Sequence, residues 1–406
     1  MSSDGHERAS LNSSQEDRVP APDIKEFIRG VKRWTPCPLA SLPNDVAERS
    51  IQVGIKPNED DRSGTYFQID DVPVFHGIKR AFENRVEMTS VRQALQRHEW
   101  LKDYFWRLVD SGADEFTELA YRDWDDGYFV RILEGQKLTF PLQACLFVST
   151  DRFNQNVHNV IVAEPGSDAQ IITGCTIHPS VSRGLHVGIT EIYVKRGARL
   201  TFTMVHGWAP GFDARPRTAV LLEEGATFVS NYICLSPVRS LQMYPVAYCA
   251  GEGARARFNS ILYVKDRSYV DVGARVVLDG KGSRGEIVSR VVATEAAQAY
   301  LRGLLVGRRE ECKGHIECMG LLLSDRASIH AIPRLDAEAR GVELTHEAAI
   351  GKIAREQVEY LMTRGLSKEE AEALLVRGFM DVSILGLPAT LYEDIRRIVE
   401  SVSRAH

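Results

Sequence analysis

The sequence predicts a mainly β protein, in which a β-solenoid core lies between a mixed α/β N-terminal region and an all-α C-terminal domain. Two patterns carry this prediction. Short runs rich in Val, Ile, Leu, Tyr and Phe, cut by glycine, fill residues 127–336, and such runs are typical of strands. From residue 337 to residue 406, apolar residues recur at the spacing of helices.

The N-terminal part divides at about residue 21. Residues 1–20 are polar, with neither the apolar core of a signal peptide nor an Arg-rich transit pattern, so we expect a disordered tail. Residues 21–126 are mixed in pattern. Helix-like stretches lie at 91–95 and 100–105, and Gly112 is the expected stop signal.

A small motif recurs in the core, consisting of a glycine, two small or polar residues and an alternating strand. Its steps are 31, 31, 28, 28 and 20 residues, and its glycines are Gly135, Gly166, Gly197, Gly225, Gly253 and Gly273. A step of about 30 residues without a helix indicates one solenoid coil per repeat, because a single coil cannot bury its apolar face alone. A β-sandwich remains the alternative, although the recurring Gly-Ala-Arg step favours the solenoid.

Three helices are predicted in the C-terminal domain. The apolar stripe of the first comprises Ile350, Ile353, Ala354, Val358 and Leu361. Gly365 is expected just past this helix, and Ser367 with Glu370 forms a capping box for the second. The third should follow Pro388, with an apolar face of Leu391, Ile395, Ile398, Val399 and Val402.

Candidate metal ligands lie near the junction of the β-solenoid core and the C-terminal domain. Cys318 stands in a strand-like run, where a cysteine is more often a small buried residue than a ligand. His346 and Glu347 are expected between a strand and a helix, where one turn would present both side chains. The alternative is that Glu347 is simply favoured at a helix N-terminus by the helix dipole. The residues alone leave both interpretations open.

A second constellation lies upstream, in I-T-G-C-T-I-H-P, G-L-H-V-G-I-T-E-I and M-V-H-G-W. It contains Cys175, His206 and Trp208, together with His178 and His186. A metal site is one interpretation, but strand-spaced histidines are more often solvated on a polar solenoid face. For Cys175, the interpretation as a buried cysteine of the β core has the same weight as a functional role.

Composition and motifs exclude several classes of protein. The net charge of −5 and pI near 6.2 argue against nucleic acid as a partner, and no apolar run is long enough to cross a bilayer. The seven cysteines form no C-x-x-C pair, so a zinc knuckle is excluded and a reducing cytoplasm is expected. Residues 280–285 match G-x-G-x-x-G, but strand-like runs flank them, which predicts a turn rather than a dinucleotide site. Without a phosphate-binding or nucleophile motif, we expect a chain that binds no nucleotide and is no enzyme.

The stretch from Cys318 to Phe379 resembles the C-terminal part of the SufB/SufD family, the scaffold subunits of the Suf iron–sulfur cluster assembly machine. The matching runs are C-M-G-L-L-L-S-D-R-A-S-I-H-A-I-P-R-L, L-T-H-E-A-A-I-G-K-I and Y-L-M-T-R-G-L-S-K-E-E-A. The resemblance covers roughly residues 126–404. It implies a right-handed parallel β-helix core, and it implies that Cys318, His346 and Glu347 assemble a nascent iron–sulfur cluster at a subunit interface.

The resemblance also implies partners. A SufC-type ABC ATPase would dock on the C-terminal helices, particularly around residues 367–379. One chain has too few thiols at this site for a cluster, so a homodimer, or a pair with a SufB/SufD paralogue, would complete it. A sulfur donor and apo iron–sulfur proteins would be the transient partners.

The segment around Cys175 matches a SufB segment in which a cysteine begins an internal sulfur route. Trp208 matches a tryptophan that lies along this route. This chain departs from that pattern at three positions. His206 stands where SufB has glutamine, and Phe147 and Ser149 replace an arginine and an asparagine. Two other functions stay open: an auxiliary SufD-like subunit that needs a separate SufB partner, and a β-solenoid enzyme with His346 as general base.

Overall fold

The computed structural model describes residues 20–59, 61–381, 392, 393 and 396. The strands are β1 Gly64–Ile69, β2 Val72–Ile78, β3 Val86–Ser90, β4 Tyr128–Ile132, β5 Leu142–Val148, β6 Phe153–Ala163, β7 Asp168–Ile177, β8 Gly184–Val194, β9 Arg199–Gly207, β10 Phe212–Ala214, β11 Arg217–Leu222, β12 Thr227–Cys234, β13 Ser240–Met243, β14 Val246–Cys249, β15 Arg255–Val264, β16 Tyr269–Leu278, β17 Arg284–Ala293, β18 Gln298–Gly307, β19 Lys313–Leu322, β20 Ser328–Ala337 and β21 Glu343–Lys352. The α-helices are α1 Asn44–Ile51, α2 Val91–Arg97, α3 Glu115–Arg122, α4 Arg355–Thr363 and α5 Lys368–Phe379. Short 3-10 helices lie at Ile24–Glu26, Leu39–Ser41, Arg80–Phe82 and Glu99–Asp103.

The strands wind as a solenoid between two facing sheets. The front sheet has the order β2-β1-β5-β7-β9-β12-β15-β17-β19-β21. The back sheet has the order β10-β13-β16-β14-β11-β8-β6-β4-β3, and β18 and β20 extend it beyond β16. From β5 onward, each strand pairs in parallel with the strand one coil away. The parallel pairing confirms the β-solenoid and rules out the sandwich, whose strands pair antiparallel.

Glycines stack at one corner of the solenoid. Gly253 and Gly282 have φ of 66° and 65°, in the left-handed region that favours glycine. The Gly253 N–H donates to the Lys281 carbonyl at 2.9 Å, which ties each corner to the next coil. The predicted corner at Gly273 is wrong. That residue lies inside β16, where an added Cβ would stand 1.9 Å from the Arg302 carbonyl oxygen, so close strand packing rather than a turn requires the glycine.

The N-terminal region covers the start of the solenoid. Strand β1 extends the front sheet parallel to β5, and β2 closes that edge by antiparallel pairing. The predicted helix around 91–95 is confirmed as α2, whereas the stretch 100–105 contains most of a short 3-10 helix, Glu99–Asp103, and no α-helix. Gly112 ends no helix, because that 3-10 helix stops at Asp103.

A buried carboxylate fixes the segment 106–109 on the outer face of the back sheet. Glu191 of β8 accepts backbone N–H bonds from Trp106, Arg107, Leu108 and Val109 at 2.6–3.1 Å. It also contacts His158 Nε2 at 2.9 Å. Both side chains are fully buried, and burial lowers the pKa of His158, so a neutral imidazole contacts the carboxylate. These hydrogen bonds stabilise the N-terminal region against the solenoid.

The predicted start of the helical domain at residue 337 is wrong. The solenoid continues through β20 and β21 as far as Lys352, so Ile350 lies in a strand. Helix α4 begins only at Arg355, and Gly365, with φ of 97°, follows it as predicted. The capping box of Ser367 and Glu370 is confirmed at the start of α5.

The described C-terminal part therefore contains two short helices after the last coil rather than a clear all-α domain. The five apolar residues of the predicted third helix, Leu391, Ile395, Ile398, Val399 and Val402, lie outside the described residues, as does the predicted tail apart from Pro20. Among the described residues, no helix combines the length and the apolar character needed to cross a membrane.

Candidate functional site

The last coil leaves one end of the solenoid open. β21 ends the front sheet and β20 ends the back sheet, and neither has a strand on its outer edge among the described residues. β21 is ten residues long and contains no proline. A long unpaired edge is a template for pairing with another chain, so this end of the molecule is suited to a site shared between two chains.

Cys318 lies one strand in from this open edge. It pairs with Ser289 of β17 on one side and with Ala348 of β21 on the other. Its side chain packs in the main core between the sheets, and the residue is 1% exposed. Burial, with a smaller contribution from the charge of Glu317, raises the pKa of the Cys318 thiol to about 11.

His346 and Glu347 lie in the middle of β21, not between a strand and a helix. They pair with Ile316 and Glu317 of β19, respectively. Successive residues of a strand point to opposite faces, so His346 shares the inner face with Cys318, whereas Glu347 lies on the outer face beside Glu317. The interpretation of Glu347 as a helix-start residue is wrong, because α4 begins eight residues later.

The three predicted ligands therefore do not converge within one chain. His346 and Glu347 are exposed, whereas Cys318 is buried. No three His, Cys, Asp or Glu side chains anywhere in the described ranges are arranged to hold a metal ion. A site that used Cys318 and His346 would need further ligands from outside the chain, or a rearrangement of the last coil.

The upstream constellation forms a buried ladder across three adjacent strands. Cys175 of β7 pairs with His206 of β9, which pairs with Cys234 of β12. All three residues are no more than 3% exposed. The expectation that the histidines lie on a solvated face is wrong for His206 and His186, which are buried. Sequence reasoning missed Cys234, although its spacing of 28 residues from His206 equals one repeat step.

Aromatic rings surround His206. Its Nδ1 lies 2.9 Å from the Tyr232 hydroxyl, and the rings of His206 and Trp208 are 4.9 Å apart. Neither His206 Nε2 nor Trp208 Nε1 has a hydrogen-bond partner in the part of the chain that is described. Burial lowers the pKa of His206 well below its ordinary value and lowers that of His186 to about 3. Both imidazoles are therefore neutral at physiological pH.

The thiols of this ladder are also neutral. Burial raises the pKa of Cys175 well above its ordinary value, and it raises the pKa of Cys234 to about 12. His178, in contrast, lies outside the core and contacts Asp45 at 2.7 Å.

A line of hydroxyl side chains leads from this ladder to Cys318. Tyr232 pairs with Ser260 of β15, which pairs with Ser289 of β17, and Ser289 is the neighbour of Cys318. Because register partners in a parallel sheet share a face, these side chains all lie on the inner face of the front sheet. The two cysteine sites are thus joined by a line of polar side chains along the inner face of the front sheet.

The C-terminal helices carry exposed apolar side chains. Tyr360 and Met362 on α4 are 57% and 44% exposed, and Leu374 on α5 is 42% exposed. A cavity of about 560 Å³ lies between α5 and the end of the front sheet. Its lining includes the apolar side chains of Ile353 and Val376 and the acidic side chains of Glu369 and Glu372. These helices offer an apolar surface for which the described part of the chain provides no cover.

Comparison with known proteins shows which family and which relatives this chain is similar to. Residues 146–379 match the family model described as the SufBD core domain of SUF system FeS cluster assembly. An iron–sulfur cluster assembly SufBD family protein of Archaeoglobus fulgidus is 47% identical over 358 residues, covering 88% of this chain and 95% of the relative. A protein of that same description from Methanothermobacter thermautotrophicus is 45% identical over 363 residues, covering 88% of each chain. The iron–sulfur cluster assembly protein SufB of Bacillus subtilis is 26% identical over 383 residues, covering 93% and 81%.

Proposed function

Because the chain belongs to the SufBD family of iron–sulfur cluster assembly proteins, we propose that it is a scaffold subunit on which a nascent cluster is built and then passed to apo-proteins. The observation that carries the proposal is the placement of Cys318 and His346 on one face, beside two strand edges that no other described strand pairs with. Thiolate and imidazole are ligands that suit a labile iron–sulfur cluster. The cluster is the cargo of this site, and the working compartment is the cytoplasm.

A second copy of the chain completes the site in this proposal. Pairing of β21 with β21 of the copy would satisfy both exposed edges and bring two copies of His346 to the interface. The two Cys318 residues would then stand three strand spacings apart, about 14 Å. One cluster cannot bridge two thiols at that distance, so the last coil has to move before both thiols bind it.

The chemistry of Cys318 supports the same need for movement. Metal binding requires a thiolate that iron can reach. The buried Cys318 thiol, with its pKa near 11, is a neutral group in the resting fold. We infer that an ATP-driven change at the scaffold, supplied by a SufC-type ABC ATPase, opens the end of the solenoid and releases this thiol.

The C-terminal helices are the docking surface for that ATPase in our proposal. Tyr360, Met362 and Leu374 supply exposed apolar area on two helices adjacent to the last coil. Exposed aromatic and aliphatic side chains on short helices are typical anchors of a protein interface. A pull on these helices would act directly on β21, because only two residues separate β21 from α4.

Sulfur would reach Cys318 through the solenoid. Cys175, His206 and Trp208 form the upstream end of the polar line that runs through Tyr232 to Cys318. Glu347 lies on the outer face, so we give it a role at the interface rather than as a ligand beside Cys318. An auxiliary SufD-like role remains the second candidate, since it is favoured by the exposure of His346 combined with the burial of Cys318.

Anaerobic reconstitution with ferrous iron and sulfide, in the presence of a SufC-type ATPase and ATP, tests the proposal. The wild-type chain should gain a visible iron–sulfur chromophore, and Cys318→Ser should lose at least nine tenths of it. Cys249→Ser is the matched control, because Cys249 is an equally buried core thiol without a ligand neighbour assigned here. An absorbing wild type whose chromophore survives Cys318→Ser would refute this site, and a colourless wild type would favour the auxiliary role.

A further inference from the structure

We propose that Arg290 is a positioning residue, which holds the last coil closed over Cys318 and releases it when the C-terminal helices move. The inference rests on the proposed function, because it takes as given that Cys318 must become accessible before a cluster forms. Arg290 lies on the outer face of the front sheet, in the strand β17 that pairs with the Cys318 strand. No sequence pattern singled out this arginine.

Arg290 contacts both the C-terminal helices and the strand that carries Cys318. Its Nη1 donates to the carbonyl of Phe379, the last residue of α5, at 3.5 Å. Its Nη2 lies 3.7 Å from Oε1 of Glu317, the residue that directly precedes Cys318 in β19. Both distances are at the long end for such contacts, which suits a link that has to break. Arg290 therefore connects α5 directly to the strand of the buried thiol.

Two carboxylates lie side by side on the outer face of the last coil. Glu317 of β19 and Glu347 of β21 are register partners, so their side chains leave the sheet about 4.8 Å apart. Like charges directly opposite each other destabilise strand pairing. Arg290 contacts Glu317 from the β17 side, so its positive charge offsets the repulsion between these two carboxylates.

β21 is the strand on which this repulsion acts. Nine of its ten residues are exposed, and β19 is its one neighbour in the front sheet among the described residues. Few buried contacts and a single neighbouring strand are the features of a segment that opens locally. When β21 separates, β19 becomes the edge of the sheet, and solvent reaches Cys318 on its inner face.

α5 packs on the same outer face as the ion pair of Arg290 and Glu317. Met380, which directly follows α5, is buried in one cluster with Val292, two residues after Arg290 in β17. A displacement of α5 breaks its contact with Arg290 and lets water reach this partly buried ion pair. Water and salt screen exposed ion pairs. The repulsion between the two carboxylates is then no longer offset, and β21 is released.

The experiment measures iodoacetamide labelling of Cys318 in the full chain at about pH 8, without an ATPase, by peptide mass spectrometry. Arg290→Gln should speed this labelling at least about tenfold, because the two carboxylates are left unopposed. Arg290→Lys keeps the charge and should stay within about threefold of the wild type. Arg257→Gln is the matched control, since Arg257 pairs with Glu286 at 3.4 Å on strands that do not carry Cys318. This control should label as the wild type does.

A rescue that depends on charge separates this role from a general loss of stability. Glu347→Gln, added to Arg290→Gln, removes the repulsion and should return Cys318 labelling to within about threefold of the wild-type rate. Salt at about 1 M should also slow labelling of Arg290→Gln, because it screens the carboxylates. Cys145 and Cys249 are fully buried in other coils. They should stay unlabelled in every variant, since global unfolding rather than local opening exposes them.

The link to α5 is tested by adding a SufC-type ATPase with ATP. The wild type should then label faster at Cys318, whereas Arg290→Gln should gain less than about threefold, because its link is already broken. A full further acceleration of Arg290→Gln by the ATPase would show that the signal from α5 reaches Cys318 by another path, and it would overturn the inference.

Three results without the ATPase would also overturn the inference. They are wild-type labelling of Cys318 in Arg290→Gln, an acceleration that persists after Glu347→Gln is added, and an equal rise at Cys145 and Cys249. The labelling assay contains no iron, so its answer is independent of cluster assembly. A wild type that forms no cluster on reconstitution would count against the proposed scaffold and leave the labelling result standing.

Discussion

The reactivity of Cys318 is the most direct consequence of its environment. With a pKa of about 11, about one Cys318 thiol in a thousand is ionised at pH 8, against roughly one in four for an ordinary cysteine with a pKa near 8.5. Thiolate is the reactive form, and the higher nucleophilicity of a more basic thiolate offsets only part of this difference. Alkylation by iodoacetamide should therefore be at least about tenfold slower at Cys318 than at an ordinary thiol, before burial slows it further.

The assay follows alkylation of Cys318 and Cys37 in the same chain by peptide mass spectrometry. Cys37 is the comparison, since it alone among the described cysteines is not buried. Between pH 8 and pH 10 the Cys318 rate should rise about tenfold per unit, because the thiol stays mostly protonated until the pH reaches its pKa. Adding a SufC-type ATPase with ATP should accelerate Cys318 alone. If Cys318 reacts as fast as Cys37 at pH 8 without the ATPase, the buried resting state is wrong.

Three further predictions follow from the structure. Glu191→Gln should lower the free energy of unfolding by about 1.5–3 kcal/mol, because an amide replaces the carboxylate that accepts from four backbone N–H groups. Glu223→Gln, at a half-exposed ion pair, should stay within about 1 kcal/mol in the same urea titration. Ala348→Pro should turn the dimer into a monomer in light scattering, because proline interrupts the β21 edge; a dimer that persists would place the interface elsewhere. Leu374→Asp with Tyr360→Ala should weaken ATPase binding at least tenfold in calorimetry while the dimer persists, and unchanged binding would exclude the helices as the docking surface.

The repeat was predictable because the glycines of its motif recur in the sequence at nearly constant spacing. A coil of about 30 residues repeats its corner glycine, so Gly225 and Gly253 could be placed without a structure. Gly273 misled the prediction because it fits the same local motif, yet it serves a close approach of β16 and β18. The true corner is Gly282, and the turn predicted at residues 280–285 is confirmed there.

The end of the solenoid was not predictable from local pattern. The segment around Glu347 and Ile350 has the composition and spacing of a helix, but the ladder with β19 supplies backbone hydrogen bonds that hold it as a strand. Because this segment is a strand rather than a turn and a helix, the side chains of the site point in other directions than predicted. Neighbouring residues share a face in a turn but point apart in a strand, so His346 lies on the face of Cys318 and Glu347 does not.

The buried ladder of Cys175, His206 and Cys234 shows a second limit of prediction from the sequence. Cys175, His206 and Cys234 are separated by 31 and 28 residues, and only the exact length of each coil decides whether such residues become neighbours. A change of one residue in either coil would turn one side chain to the opposite face. The sequence therefore indicated that cysteines and histidines occupy the core region, while their meeting across three strands required the register.

Native mass spectrometry of the protein, reconstituted anaerobically together with a SufC-type ATPase and ATP, tests the central claim most directly, because it measures the oligomeric state and the bound cluster together. A shared site predicts a dimer that carries one iron–sulfur cluster, a monomer that carries none, and a Cys318→Ser dimer without iron. A cluster on the monomer, or on the Cys318→Ser dimer, would contradict an intersubunit site built on Cys318.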